Sequence, residues 1–186
     1  MEENTNKNII INGTNNRYLV KLANREKKEP KKRAAISKYK LSIENLDFNK
    51  QKELLNAICK MQIGINQESN IESEFIIKEL QKKISSYRQQ DVLKKILNES
   101  DFITYDLIIN KLLECDMKCH YCKTEMFIIY EFVRELSQWT VDRIDNSKGH
   151  NKDNIVLSCL NCNLKKRRTT DEKFLFTKQL NLIKQS

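Results

Sequence analysis

Apolar positions recur every three or four residues through the middle of this chain. After Ser42 they step through Leu54, Leu55, Ile58 and Met61, which predicts a helix stopped by Gly64. Beyond Asn70–Ser73 they step through Ile77, Leu80, Ile84 and Tyr87. That is a second helix, which Val92, Leu93, Ile96 and Leu97 either extend or follow as a third. Thr104 is a candidate cap for another, running to about Glu114 with Ile108, Ile109, Leu112 and Leu113 on its buried side. The stripes read as helical core, with a partner interface as the alternative. Then the period shortens. Phe127–Val133 is rich in β-formers and predicts a strand; Gln138–Asp142 predicts another, and Ile155–Ser158 returns after a polar loop over 146–153. A helix should begin near Cys162, and Thr169-x-x-Glu172 has the pattern of a capping box before a last helix carrying Phe174, Leu175 and Leu182. The pattern is α+β and mainly helical. It divides into an arm (1–40), a helical part (41–114) and a smaller mixed part (115–186).

Composition sharpens this outline. Of 186 residues, 39% are hydrophobic and 32% charged, as in a folded soluble protein, and only three Gly and one Pro favour helix over tight-turned β structure. The net charge of +9 is unevenly spread. Residues 17–40 hold ten basic and two acidic side chains, whereas 41–186 together carry about +2. The excess sits in a basic, disordered arm around Lys27, Lys28, Lys31, Lys32 and Arg33. Such an arm is a solvated linker, a nuclear import signal or a phosphate-binding segment, and the last suits a polyanionic partner. Ile9–Ile11 is too short for a signal-peptide core, and no apolar run is long enough to span a membrane. The expectation is an intracellular, soluble protein of nucleus or cytoplasm with reduced cysteines.

Four of the six cysteines form two C-x-x-C pairs, Cys119/Cys122 and Cys159/Cys162. Two such pairs imply one tetrahedral Zn(II), and four thiolates leave no open position, so the ion is structural. Disulfides are the alternative, but nothing in the sequence suggests an oxidising compartment. Binding changes the charge by −2, to about +7. Cys59 lies on an apolar helix face as a small core residue, and Cys115 lies near the first pair at poorer spacing.

The stretch 115–170 also carries Asp142 at the end of a strand, Asn154 opening the next, and Cys159-Leu160-Asn161-Cys162-Asn163 opening a helix. In that order and spacing it resembles the zinc-containing HNH endonucleases of the ββα-metal fold. The wording Gln138–Asn146 is also similar to HNH-like proteins of phages and large DNA viruses, which would place the protein in a host cell or virion. The resemblance implies that Asp142 and Asn163 converge on a catalytic Mg(II) or Mn(II), hard-ligand ions, and that Asn154 braces the loop between the strands. An ordinary turn residue is the other reading of Asn154. Lys165, Lys166, Arg167 and Arg168 would lie along nucleic acid, DNA foremost.

One position departs from the family. The residue after the aspartate is normally the His that acts as general base, and here it is Arg143, whose guanidinium stays protonated. Arg143 can clamp a phosphate. His150 is a candidate substitute base or a loop residue, Asp145 a weaker candidate for base or metal ligand, and His120 packs within the knuckle. Two functions follow: a metal-dependent HNH-type DNA endonuclease or nickase, or a zinc-stabilised nucleic-acid-binding protein, virion-associated if viral, with a weak or inactive site.

Overall fold

The computed structural model describes residues 29–62, 64, 70–167 and 169–180. The chain divides into two units, Met1–Lys31 and Lys32–Ser186. The expected arm residues Lys27 and Lys28, the C-terminal Leu182 and Arg168 lie outside the described residues. In the second unit the helices are α1 (Ala34–Lys38), α2 (Phe48–Gln62), α3 (Ile71–Leu93), α4 (Tyr105–Glu114), α5 (Leu160–Lys166) and α6 (Asp171–Gln179), with a 3-10 turn at Ile43–Leu46. The only strands among the described residues are β1 (Trp139–Arg143) and β2 (Ile155–Cys159). They pair antiparallel, with Asp142 opposite Val156 and Trp139 opposite Cys159.

The helical stripes become elements for the expected reasons. Asn70 caps α3, its side chain accepting from Ser73 N at 2.7 Å, and Thr104 caps α4 through Leu107 N at 3.3 Å. The α3 helix continues to Leu93 without a third helix, and its exposed end carries Val92 and Leu93. Leu54, Leu55 and Ile58 of α2, Phe75, Ile76 and Leu80 of α3, and Ile108, Ile109 and Leu112 of α4 are buried in one cluster. That cluster also contains Met126, Ile128, Trp139, Val141, Leu157 and the sulfurs of Cys119, Cys159 and Cys162. No break in the core separates residues 41–114 from the cysteine-bearing part.

Three expectations need correction. Phe127–Val133 is not a strand. Its backbone is met by a side chain instead: Gln51 Oε1 accepts from Ile128 N and Ile129 N at 2.8 and 2.9 Å, and its Nε2 donates to Ile129 O at 2.9 Å. A buried amide here does the work of a neighbouring strand. The capping box at Thr169 is also absent. Thr170 caps α6 without a side-chain bond, which puts Lys173 rather than Glu172 at the third helical position. Finally, the arm ends before 40. Residues from Lys32 onward belong to the folded unit, and Arg33 is held by Glu79 at 2.5 Å with its guanidinium 4.0 Å over the Tyr130 ring. Arg33 therefore anchors the fold and is not free for phosphate.

The outer edge of β1 faces side chains, not another strand. Trp139 N donates to Phe127 O at 3.1 Å. Lys83 Nζ donates to Trp139 O, Val141 N donates to Tyr87 Oη at 3.0 Å, and Asn163 Nδ2 donates to Val141 O at 3.2 Å. Lys166 Nζ donates to Arg143 O at 2.5 Å. Burial among Trp139 and Tyr130 lowers the Lys83 amine to about 7 from its ordinary 10.5, with Glu79 partly offsetting that shift. Between those two values the unfolded chain binds the extra proton, so rising pH favours the folded state. Urea midpoints of zinc-loaded protein should therefore climb from pH 7 to 9 more steeply than those of Lys83→Met. Parallel slopes would show that Lys83 is not neutralised by folding.

Candidate functional site

The knuckle is built by a tight turn. Cys119 N donates to Thr124 O at 2.8 Å and Lys123 N to Cys119 O at 3.0 Å, with Lys123 at φ 58° closing the loop. The second pair straddles the start of α5: Cys159 ends β2, and its sulfur accepts from Cys162 N at 3.4 Å. The hairpin brings the pairs together, so that the four Sγ atoms lie within 4.8 Å of one another. Cys119, Cys159 and Cys162 are buried and Cys122 is partly so. Four converging soft donors could hold a structural metal ion such as zinc. The thiols already compete for protons. The Cys159 thiol lowers the pKa of Cys119 by donating to it, while burial pushes that of Cys162 up.

Asp142 on β1 is 7% exposed. Its Oδ2 lies 2.6 Å from Tyr121 Oη and 3.0 Å from Lys166 Nζ. Lys166 is fully buried. It was expected along nucleic acid; instead its ammonium neutralises Asp142. The reason is helical geometry, which turns Lys166 inward onto the end of β1 while Lys165 and Arg167 stay exposed. Tyr121 also lies 2.6 Å from Asp171 Oδ1 at the start of α6, and burial followed by these two carboxylates raises its hydroxyl pKa. Asn163 sits beside the end of β1, its Nδ2 donating to Thr140 Oγ1 at 3.0 Å and to Val141 O at 3.2 Å. The amide nitrogen faces the strand. Asn163 is thus tied to Thr140 and Val141, the two residues that precede Asp142.

The loop between the strands is braced by Asn154. Its Oδ1 accepts from Asp145 N at 2.9 Å, and its Nδ2 donates to Asp145 O and Gly149 O at 3.0 and 2.9 Å. Arg143 is 9% exposed and turns into this loop, donating to Asn146 O and Lys148 O at 3.3 and 3.1 Å. Asp145 accepts from Ser147 N and Oγ, which holds its carboxyl below the usual range. His150 is held against the helical part. It is 3% exposed, with Nδ1 2.8 Å from Asp91 Oδ1 and its ring 4.7 Å from Tyr87. Burial lowers its pKa against the pull of Asp91, keeping the imidazole neutral near pH 7. Gly149 makes this contact possible: a Cβ there would lie 2.6 Å from Ile96 O and 2.9 Å from Asp91 Oδ2. His120 stands on the other side, its buried Nε2 without a hydrogen bond and 3.5 Å from Asp171 Oδ2.

Sequence reasoning missed Tyr121, Asp171 and Asp91. The first lies between two cysteines, where an aromatic reads as packing, and the others lie 50 and 59 residues from the groups they hold. Among the described residues no helix is long and apolar enough to cross a membrane.

Two outcomes test this centre. Elemental analysis of freshly purified protein should give one zinc per chain. Chelation should then abolish tertiary and helical signals in one transition, since knuckle and helices share a core; helices surviving zinc loss would separate the two parts. Lys166→Met should cost about 3–5 kcal/mol in urea titration because it strands a buried carboxylate, whereas Lys165→Met should stay within about 0.5 kcal/mol. Equal effects would mean that the Asp142–Lys166 pair carries no weight. No protein-family model, curated protein or solved structure matches this chain.

Proposed function

We propose that this chain is a metal-dependent phosphodiesterase of HNH-like architecture that nicks or cleaves DNA. The observation that carries the reading is the hydrogen bond from Asn163 to Val141 O. It ties the helix carrying Cys162 to the strand residue before Asp142. The donor set fits Mg(II) or Mn(II): a carboxylate and an amide, hard oxygen ligands that leave room for waters. Asp142 and Asn163 would hold such an ion, which supplies Lewis-acid stabilisation of phosphate charge. Tyr121 and Lys166 hold Asp142 Oδ2 in place, the supporting role that outer partners play around ligating carboxylates. The four-cysteine cluster fixes Cys162 and with it the neighbouring Asn163. Lys165 and Arg167 are exposed cations for the strand, while Lys32, also exposed, pairs with Glu131.

One observation favours the binding-module reading. Arg143 stands where a base is expected, and its guanidinium clamps loop carbonyls. A missing positioned base typically costs about 10²–10⁴ in rate. His150 is no ready substitute, since it is buried against Asp91.

The test is nicking of supercoiled plasmid by zinc-loaded protein with Mg(II) or Mn(II). Asn163→Ala and Asp142→Asn should abolish nicking, each checked for retained zinc. His150→Ala should lower the rate no more than its loss of stability explains, and Arg143→His should raise it by restoring an imidazole beside Asp142. If neither the wild type nor Arg143→His cuts DNA or RNA while both still bind it, the enzyme reading falls and the binding module stands.

A further inference from the structure

Beside the knuckle lies a cavity of about 390 Å³ that neither the cysteine cluster nor the Asp142 site uses. It is lined by Cys115 and by Ile155, Val156 and Leu157 of β2, of which Val156 is the partly exposed one, and by Lys111, Lys118 and Lys123. Glu114 and the partly exposed His120 also line it. Lys118 pairs with Asp116 at 2.9 Å, but Lys52 pairs with that same carboxylate, so the local balance stays positive. Lys111 and Lys123 enter no ion pair among the described residues. An apolar lining beside lysines is the wrong chemistry for an acidic peptide, whose side chains would leave the apolar part uncovered. It matches a nucleotide in an unpaired strand, with an apolar base face for the apolar part and phosphates for the lysines. The volume lies within the range of small-ligand sites and is too small for a duplex.

The register connects this cavity to the carboxylate. Val156 lies directly opposite Asp142, and paired residues of an antiparallel ladder project to the same face. His120 of the lining precedes Tyr121, which touches Asp142. We infer that the groove over Val156 is the seat of a single-stranded nucleic-acid segment next to Asp142, with Lys111 and Lys123 contacting its phosphates. This rests on the nucleic-acid part of the function proposed above, and it does not require cleavage.

The experiment uses the full zinc-loaded chain and a short labelled single-stranded oligonucleotide, read by fluorescence anisotropy across a salt series. Lys111→Gln/Lys123→Gln should weaken binding at least tenfold at low salt. The slope of log affinity against log salt should become shallower by about 1.4, at roughly 0.7 per phosphate contact on a single strand. A charge-matched control, Lys50→Gln/Lys60→Gln on the exposed side of α2, should leave the slope unchanged. A second variant, Val156→Asp, should weaken the single strand more than a duplex of the same sequence. An unchanged slope in the groove variant overturns the inference, as does equal loss for duplex and single strand. Nicking is scored separately: a groove variant that loses strand affinity in a protein that never nicks sustains the groove and sinks only the nuclease.

Discussion

Four sulfur atoms within 4.8 Å of each other set the geometry on which the rest depends. Two come from a turn after α4 and two from the junction of β2 and α5. A cation among them would therefore fasten knuckle, hairpin and helix at one point. Without it, burial and the charge of neighbouring sulfurs hold Cys162 in its thiol form, so four thiolates do not coexist in that space. With it, the start of α5 is fixed, and Asn163 and Lys166 follow as consecutive inward positions of that helix.

Burial of charge follows a consistent rule in the second unit. Asp142 meets Lys166, Glu79 meets Arg33, and the Asp91 carboxylate is met by the neutral imidazole of His150. Each pair joins segments far apart in sequence, and each resists removal of one partner more than it adds over an apolar pair. The pairs specify which surfaces meet. Asp91 lodges the interstrand loop against the end of α3, and Gly149 is there because any side chain would strike Ile96 O.

Much of this was legible in the chain. Helical period, Thr104 as a cap, and the paired C-x-x-C spacing all rest on local rules that operate within a few residues. The failures share a different origin. Phe127–Val133 has the composition of a strand, but Gln51, far upstream, satisfies its backbone. Lys166 and Arg33 look like members of basic clusters, and only tertiary packing turns them inward while their neighbours stay in water. Asp171, Asp91 and Tyr121 gained their roles from contacts that no spacing rule encodes. The order of Asp142, Asn154 and Asn163 could be read; which oxygen of Asp142 was already engaged could not.

The outer rungs of β1 have a consequence for association. A two-stranded sheet ordinarily offers a free edge, and free edges recruit further strands from other chains. Here Lys83, Tyr87, Asn163 and Lys166 each occupy a main-chain group on that edge, and Phe127 O takes another. The hairpin is thereby closed to strand addition along β1. Edge-to-edge assembly into fibrils, or capture of an extended peptide, would first have to unseat side chains from two helices, α3 and α5.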